Sequence, residues 1–403
     1  MWRSLSEPQP AGRKPARATF LELFFDLVFV FAFTRIVARM YEDMVLEQGG
    51  SELSRALPGA GKTLLLLLAL YTLWQSTAWT TSRYEPDSTA IQLIVIVALL
   101  TGLVLGVAVP RAFRGYPEAF AFAYVVGQLT RPLVLLIVLR DRQRRLLKLR
   151  MLITYAAAGV LWVIGAILGG RTLIILWVLA LGLEYAAGRF GWPVPGLGRS
   201  TTSQWDIAGE HLAERYQQFF LIALGETILV VGLTYSTGPF DVPSTLAFAV
   251  AALTSVLLWR IYFYRAGQIL NEAIMKARQP SLIGRSAADS HLIMIIGIVL
   301  TALGYEIVIE HPVGHTHPTW LAPVLLGPAL FTTGRARFEF QVFGRVSPAR
   351  VVTLAALILS YPVLLRAPAL AASIVAAVIL LGAALADARR ARGLPPEPAK
   401  PPF

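Results

Sequence analysis

The sequence predicts an all-α fold, a polytopic transmembrane helix bundle of about 12 spans arranged as two parallel six-helix repeats. Three observations carry that reading. Of the 403 residues 56% are hydrophobic and only 15% charged, and the mean hydropathy is +0.62, more apolar surface than a soluble domain of this size has core to hold. The apolar residues fall in runs near the roughly 20 residues that a helix needs to cross a hydrocarbon core. Lys and Arg gather in alternate short connections, as they do on the cytoplasmic side of a membrane.

The first half, residues 20–190, holds candidate spans at 20–40, 63–82, 91–110, 117–139, 151–169 and 172–189. The second half, 213–388, holds spans at 213–234, 245–264, 289–309, 319–334, 349–366 and 368–387. A cytoplasmic N-terminal segment (1–19), a cytoplasmic linker (191–212) and a disordered Pro-rich cytoplasmic tail (389–403) complete the predicted organisation. Span one opens on Glu22-Leu-Phe-Phe-Asp26, and span two is aromatic-rich from Trp74 to Arg83. Span three follows Asp87-Ser88 and ends at Pro110; span nine follows Asp289-Ser290 and ends at Pro312, with the same Asp-to-Pro spacing. Arg131 in span four has its counterpart in Arg335 near span ten, and Glu184 in span six in Asp387 at the end of span twelve. Halves of six spans enter from the same side, which makes the repeat parallel and places a pathway between the halves.

With the N-terminus inside, the inside loops hold Arg140, Arg142, Arg144, Arg145, Lys148 and Arg150, then Lys276, Arg278 and Arg285, then Arg335, Arg337, Arg345 and Arg350. The opposite connections Ser236–Asp241 and Glu310–His317 hold no Lys or Arg. Both termini are therefore expected in the cytoplasm, with the protein in the bacterial cytoplasmic membrane. The formal net charge of +12 is spread through these short loops and faces lipid headgroups, so membrane lipids are the expected partner and nucleic acid is not. A homo-oligomer is compatible with the sequence.

Several chemistries lack support. The chain has no cysteine, which removes thiol catalysis and cysteine-held metals. Phosphate-cradling glycine loops, a nucleophile elbow and HExxH are absent, and no cofactor is expected. His311, His315 and His317 beside Glu310 offer metal-ligand types in a Gly/Pro-bearing loop, but without a second cluster to complete four-coordination no metal is expected. The polar N-terminus has no cleavage pattern, and no cleaved signal peptide is expected.

The ionisable residues inside apolar helices carry the functional signal, since a charge at the bilayer centre costs roughly 2.5–3.5 kcal/mol and marks bundle interiors, water cavities or solute paths. Glu22 and Asp26 share a helix face, whereas Arg35 lies on the opposite one, so Asp26 must find a partner on another helix, take up water or a cation, or be protonated. Glu22, and less well Asp26, is also placed at headgroup depth to cap the helix N-terminus. His211, Glu214, Arg215 and Gln218 form a stripe at the opening of span seven, and Glu226 lies on nearly the same face about 16 Å deeper. Beside it, Gly225 is expected at a close helix approach, and Gln128, Arg131 and Arg83 are candidate partners.

The segments Phe20–Thr34, His211–Glu226 and Asp289-Ser-His291 through His311-Pro312 together resemble the bacterial low temperature requirement protein A family. The resemblance covers residues 18–388 and falls on Glu22, Asp26, His211, Glu214, Arg215, Gly225, Glu226 and His291. It implies a polytopic bacterial membrane protein and carries over no biochemical activity. Phe25-Asp26 is also similar to the Phe-x-Asp-like motif opening each half of two-repeat potassium channels of endosomes and lysosomes, although the second half here has Glu214-Arg215.

These residues lead to a transporter or channel-like protein that moves an ion or small solute, with Glu22, Asp26, His211, Glu214, Glu226 and His291 lining its path and Arg215 or Arg131 balancing charge. The alternative is a non-transporting membrane protein. It would be either a lipid-active enzyme using His211, Glu214 and His291, or a sensor of bilayer state in the cold.

Overall fold

The computed structural model of the chain describes residues 17–46, 52–200, 209–264, 269–314, 317–393 and 397–402. It is 84% helical, with 13 α-helices and no strand among the described residues, which settles the all-α class. The helices are α1 (Phe20–Tyr41), α2 (Glu52–Thr81), α3 (Thr89–Ala108), α4 (Pro117–Val138), α5 (Arg142–Leu168), α6 (Gly170–Phe190) and α7 (Gly209–Thr237). They continue as α8 (Val242–Phe263), α9 (Leu270–Lys276), α10 (Pro280–Glu310), α11 (Pro318–Phe343), α12 (Pro348–Leu364) and α13 (Ala369–Ala391).

Local chemistry sets the ends. Asp141 and Asp241 accept from the backbone N–H three residues on, at 2.7 and 2.8 Å, and cap α5 and α8. Prolines in the first turn start α4, α11 and α12, where a missing N–H costs nothing. Gly191 ends α6 with φ 79°, and a Cβ there would sit 2.3 Å from the Ser200 carbonyl oxygen, so only glycine fits.

Each of the 12 expected spans overlaps a helix, and nine helices (α2 to α8, α10 and α13) are long and apolar enough to cross a membrane among the described residues. The protein is a multi-pass membrane protein. The other three helices that overlap expected spans depart from that standard. Glu22, Asp26, Arg35 and Arg39 crowd α1, prolines and Arg335, Arg337 and Glu339 interrupt α11, and α12 has only 17 residues. The short α9 and a π-helical turn at Glu42–Leu46 after α1 have too little apolar periodicity to be read from sequence.

The chain divides into two compact units. One holds the described residues up to Ile36 together with Lys62–Arg215; the other holds Val37–Gly61 and the residues from Tyr216 on. In the first, α1 lies against α3 through glycines: a Cβ on Gly102 would meet Val28 at 3.3 Å and one on Gly106 would meet Phe31 at 2.9 Å. Behind them Phe120, Trp162 and Trp177 form a buried aromatic cluster, the two indoles 4.7 Å apart. In the second unit, Gly297 and Gly304 of α10 face Gly327 and Gly334 of α11 in near backbone contact; a Cβ on Gly297 would lie 2.4 Å from the Phe331 nitrogen.

Candidate functional site

In the first unit four side chains converge. Thr19 and Glu22 form a reciprocal capping box at the start of α1: the Thr19 N–H donates to Glu22 Oε2 at 2.9 Å, and the Glu22 N–H donates to Thr19 Oγ1 at 3.3 Å. The Glu22 carboxylate is nevertheless buried, with His211 Nε2 at 3.3 Å and Arg215 Nε at 3.6 Å. One turn on, Asp26 receives both terminal nitrogens of Arg215, at 2.8 and 2.6 Å, and the Trp74 indole N–H at 2.9 Å. The planar guanidinium meets the carboxylate in a fork, the strongest geometry for such a pair. Of the fates open to Asp26, partnering by another helix is the one realised.

His211 extends the network, with Ser82 Oγ 2.8 Å from its Nδ1. Ser82, His211 and Glu22 thus lie in a hydrogen-bonded row, all buried. Glu214 stands at the edge, half-buried, accepting the Ala18 N–H at 3.3 Å. Two carboxylates in this core thus face one guanidinium and one imidazole.

Arg131 belongs to a second network of the same unit. Its Nη2 donates to Tyr155 at 2.9 Å and to Gln128 at 3.4 Å; Gln128 donates to the Tyr124 hydroxyl, which in turn donates to Glu184 at 2.6 Å. Trp162 Nε1 donates to the other Glu184 oxygen at 3.3 Å. Gln128 and Arg131 are therefore engaged with one another and with Tyr124 and Tyr155.

The second unit holds Glu226, His291, Glu310, which the sequence reading weighed only as a metal-ligand type, and Glu306, which it passed over. Glu226 is fully buried on α7. On α10, Glu306 and Glu310 stand four residues apart on one face, Glu306 lies within electrostatic range of both Glu310 and Glu226, and Tyr41 donates a hydrogen bond to Glu310. Their signal was present in Gly304-Tyr-Glu306-Ile-Val-Ile-Glu310, a pair of acids at the far end of an apolar run. Gly225 is not at a close approach: a Cβ there meets open space within 4 Å. The backbone contact that glycine can supply occurs between α10 and α11 instead.

His291 has an internal role in the second unit. Its Nδ1–H donates to the Ala287 carbonyl at 2.7 Å, its Nε2 accepts from the Tyr262 hydroxyl at 2.8 Å, and Tyr216 stacks on the ring at 4.7 Å. Both nitrogens are used, and the carbonyl acceptor places a proton on Nδ1. His311 and His317 flank the Trp320 ring at 5.0 and 4.8 Å, while His315 lies outside the described residues.

A family model for the bacterial low temperature requirement A protein matches residues 17–385. The chain belongs to that family. An uncharacterized protein of Rhizobium meliloti (strain 1021) is 32% identical to it over 337 residues, which is 82% of this chain and 79% of the relative. Two of the three segments that carry the likeness to the low temperature requirement A family, Phe20–Thr34 and His211–Glu226, supply both partners of the Asp26–Arg215 fork, and the Trp74 indole on Asp26 comes from outside them.

Proposed function

We propose that this low temperature requirement A protein is a transporter or channel-like protein that moves a proton or small cation through the second unit. The observation that carries the reading is the line of acids Glu226, Glu306 and Glu310, ending at Tyr41, with Glu226 fully buried and Glu306 close enough to feel the other two. Intramembrane carboxylates gathered within electrostatic reach of one another mark a polar path that a proton or cation can follow through an apolar bundle. The Asp26–Arg215 fork in the first unit is already neutralised, and we assign it to holding the helices together.

On this reading the chain crosses the cytoplasmic membrane 12 times with both termini inside. Buried pairing of charges on the less apolar helices supports counting them as spans, as in Asp26–Arg215 on α1 and Arg350–Asp387 between α12 and α13. The order of motifs in the two halves supports a parallel repeat.

The test is ion flux in proteoliposomes made from purified protein, for wild type beside Glu226→Gln and Glu306→Gln. Flux falling to the protein-free level in Glu226→Gln, with insertion and gel-filtration profile kept, is the expected result. Unchanged flux in both variants refutes the proposal.

One observation favours a second reading, a lipid-active enzyme: the row Ser82–His211–Glu22 places a hydroxyl, an imidazole and a carboxylate as nucleophilic catalysis needs them. A fluorophosphonate probe labelling wild type and not Ser82→Ala would establish it, and no labelling would dismiss it.

A further inference from the structure

We propose that the second unit carries a binding site for a phosphate-bearing group, in the pocket where the C-terminal ends of α11 and α13 meet the start of α12. Four arginines line it (Arg335, Arg345, Arg350 and Arg390) against three carboxylates (Glu339, Asp387 and Glu397). The carboxylates are all spoken for by two of the arginines. Arg350 holds Asp387 at 2.5 Å and Glu339 at 3.5 Å, and Arg345 holds both oxygens of Glu397 at 2.5 and 2.6 Å.

Arg335 and Arg390 form no ion pair among the described residues. Arg335 is only 2% exposed; its Nε and Nη2 donate to the carbonyls of Ile261 and Tyr264, at 3.0 and 3.1 Å, and its Nη1 is buried without a hydrogen-bond partner. A buried N–H donor on a permanent cation is costly to leave unmet. The pocket thus has one positive charge in excess and an unused donor at its wall.

The tail shows what such a pocket accepts. Residues 397–402 lie against the end of α11, pinned by the Lys400 N–H to the Val342 carbonyl at 2.8 Å, and they bring the Glu397 carboxylate onto Arg345 in a two-oxygen contact. The Glu397 side chain remains 28% exposed, so an anion with more oxygens and more charge can displace it. A phosphate group has both, whether it comes from a lipid headgroup or from a free phosphate ester.

The experiment uses the full chain in detergent without phosphate and follows thermal unfolding. It is titrated with inorganic phosphate, with dihexanoyl phosphatidic acid, and with dihexanoyl phosphatidylcholine and sodium sulfate as comparisons. Stabilisation by inorganic phosphate identifies a free ester as the source, and stabilisation by phosphatidic acid alone identifies a lipid headgroup; either supports the site. Arg345→Gln, at a half-buried position, and Arg390→Gln, at an exposed one, are expected to weaken binding roughly tenfold each, the loss of one charge-assisted contact. Glu397→Gln, which removes the competing carboxylate, is expected to tighten it. Equal effects of sulfate and phosphate, no stabilisation by either phosphate probe, or unaltered binding in all three variants would overturn the proposal.

Discussion

Removing Arg215 should expose how much of the first unit depends on one guanidinium. Arg215 and Asp26 are both fully buried, joined at 2.6 and 2.8 Å, with Glu22 a further 3.6 Å contact, so Arg215→Gln leaves two carboxylates facing each other in an apolar interior. Unit charges about 4 Å apart at an effective dielectric near 20 interact by about 4 kcal/mol. Losing one member of a buried pair costs about 3–5 kcal/mol by measurement, the same range. The double variant Asp26→Asn/Arg215→Gln keeps the shape and removes both charges, so it should recover at least about 2 kcal/mol of that loss. Equilibrium unfolding in mixed micelles, for wild type, both single variants and the double variant, gives the cycle directly. A loss below about 1 kcal/mol in Arg215→Gln, or simple additivity in the double variant, would refute the claim that the fork holds α1 to α7.

Other expectations follow from the same packing. Gly297→Ala forces a Cβ to within 2.4 Å of the Phe331 nitrogen, so it should destabilise the second unit by about 1–3 kcal/mol, read as a lowered unfolding midpoint; an unchanged midpoint would mean that α10 and α11 lie farther apart. His291→Phe removes the acceptor for the buried Tyr262 hydroxyl and should cost about 1–3 kcal/mol while leaving ion flux at the wild-type rate; lost flux in a well-folded variant would return His291 to the pathway. Tyr41→Phe removes the donor to Glu310 and should alter the rate of flux without abolishing insertion, so identical rates would take Tyr41 out of the path.

The helices were legible because a membrane span writes itself as a long apolar run, and every expected span overlaps a helix. α9 was not, because seven residues carry too little periodicity to stand out. That Asp26 needed a partner on another helix, water or a cation, or a proton could be read from its angular separation from Arg35. The identity of that partner could not, since nothing in a sequence sets which helices touch. Trp74 escaped for the same reason: an indole in an aromatic-rich span reads as packing until a carboxylate is placed 2.9 Å away. The contacts of His291 were equally out of reach, since no sequence shows that one ring nitrogen meets the Ala287 carbonyl and the other the Tyr262 hydroxyl. Gly225 was read as a contact glycine because it adjoins Glu226, yet the glycines that matter to packing are spaced seven apart on α10 and on α11.

The most direct test of the central claim is potential-driven flux of protons and of monovalent cations, taken one at a time, into proteoliposomes of the wild-type protein, recorded with pH- and potential-sensitive dyes beside Glu226→Gln. The account predicts entry of at least one of these ions above the protein-free rate, and its loss in Glu226→Gln. Wild-type vesicles as tight as protein-free ones, or flux indifferent to Glu226, would contradict it.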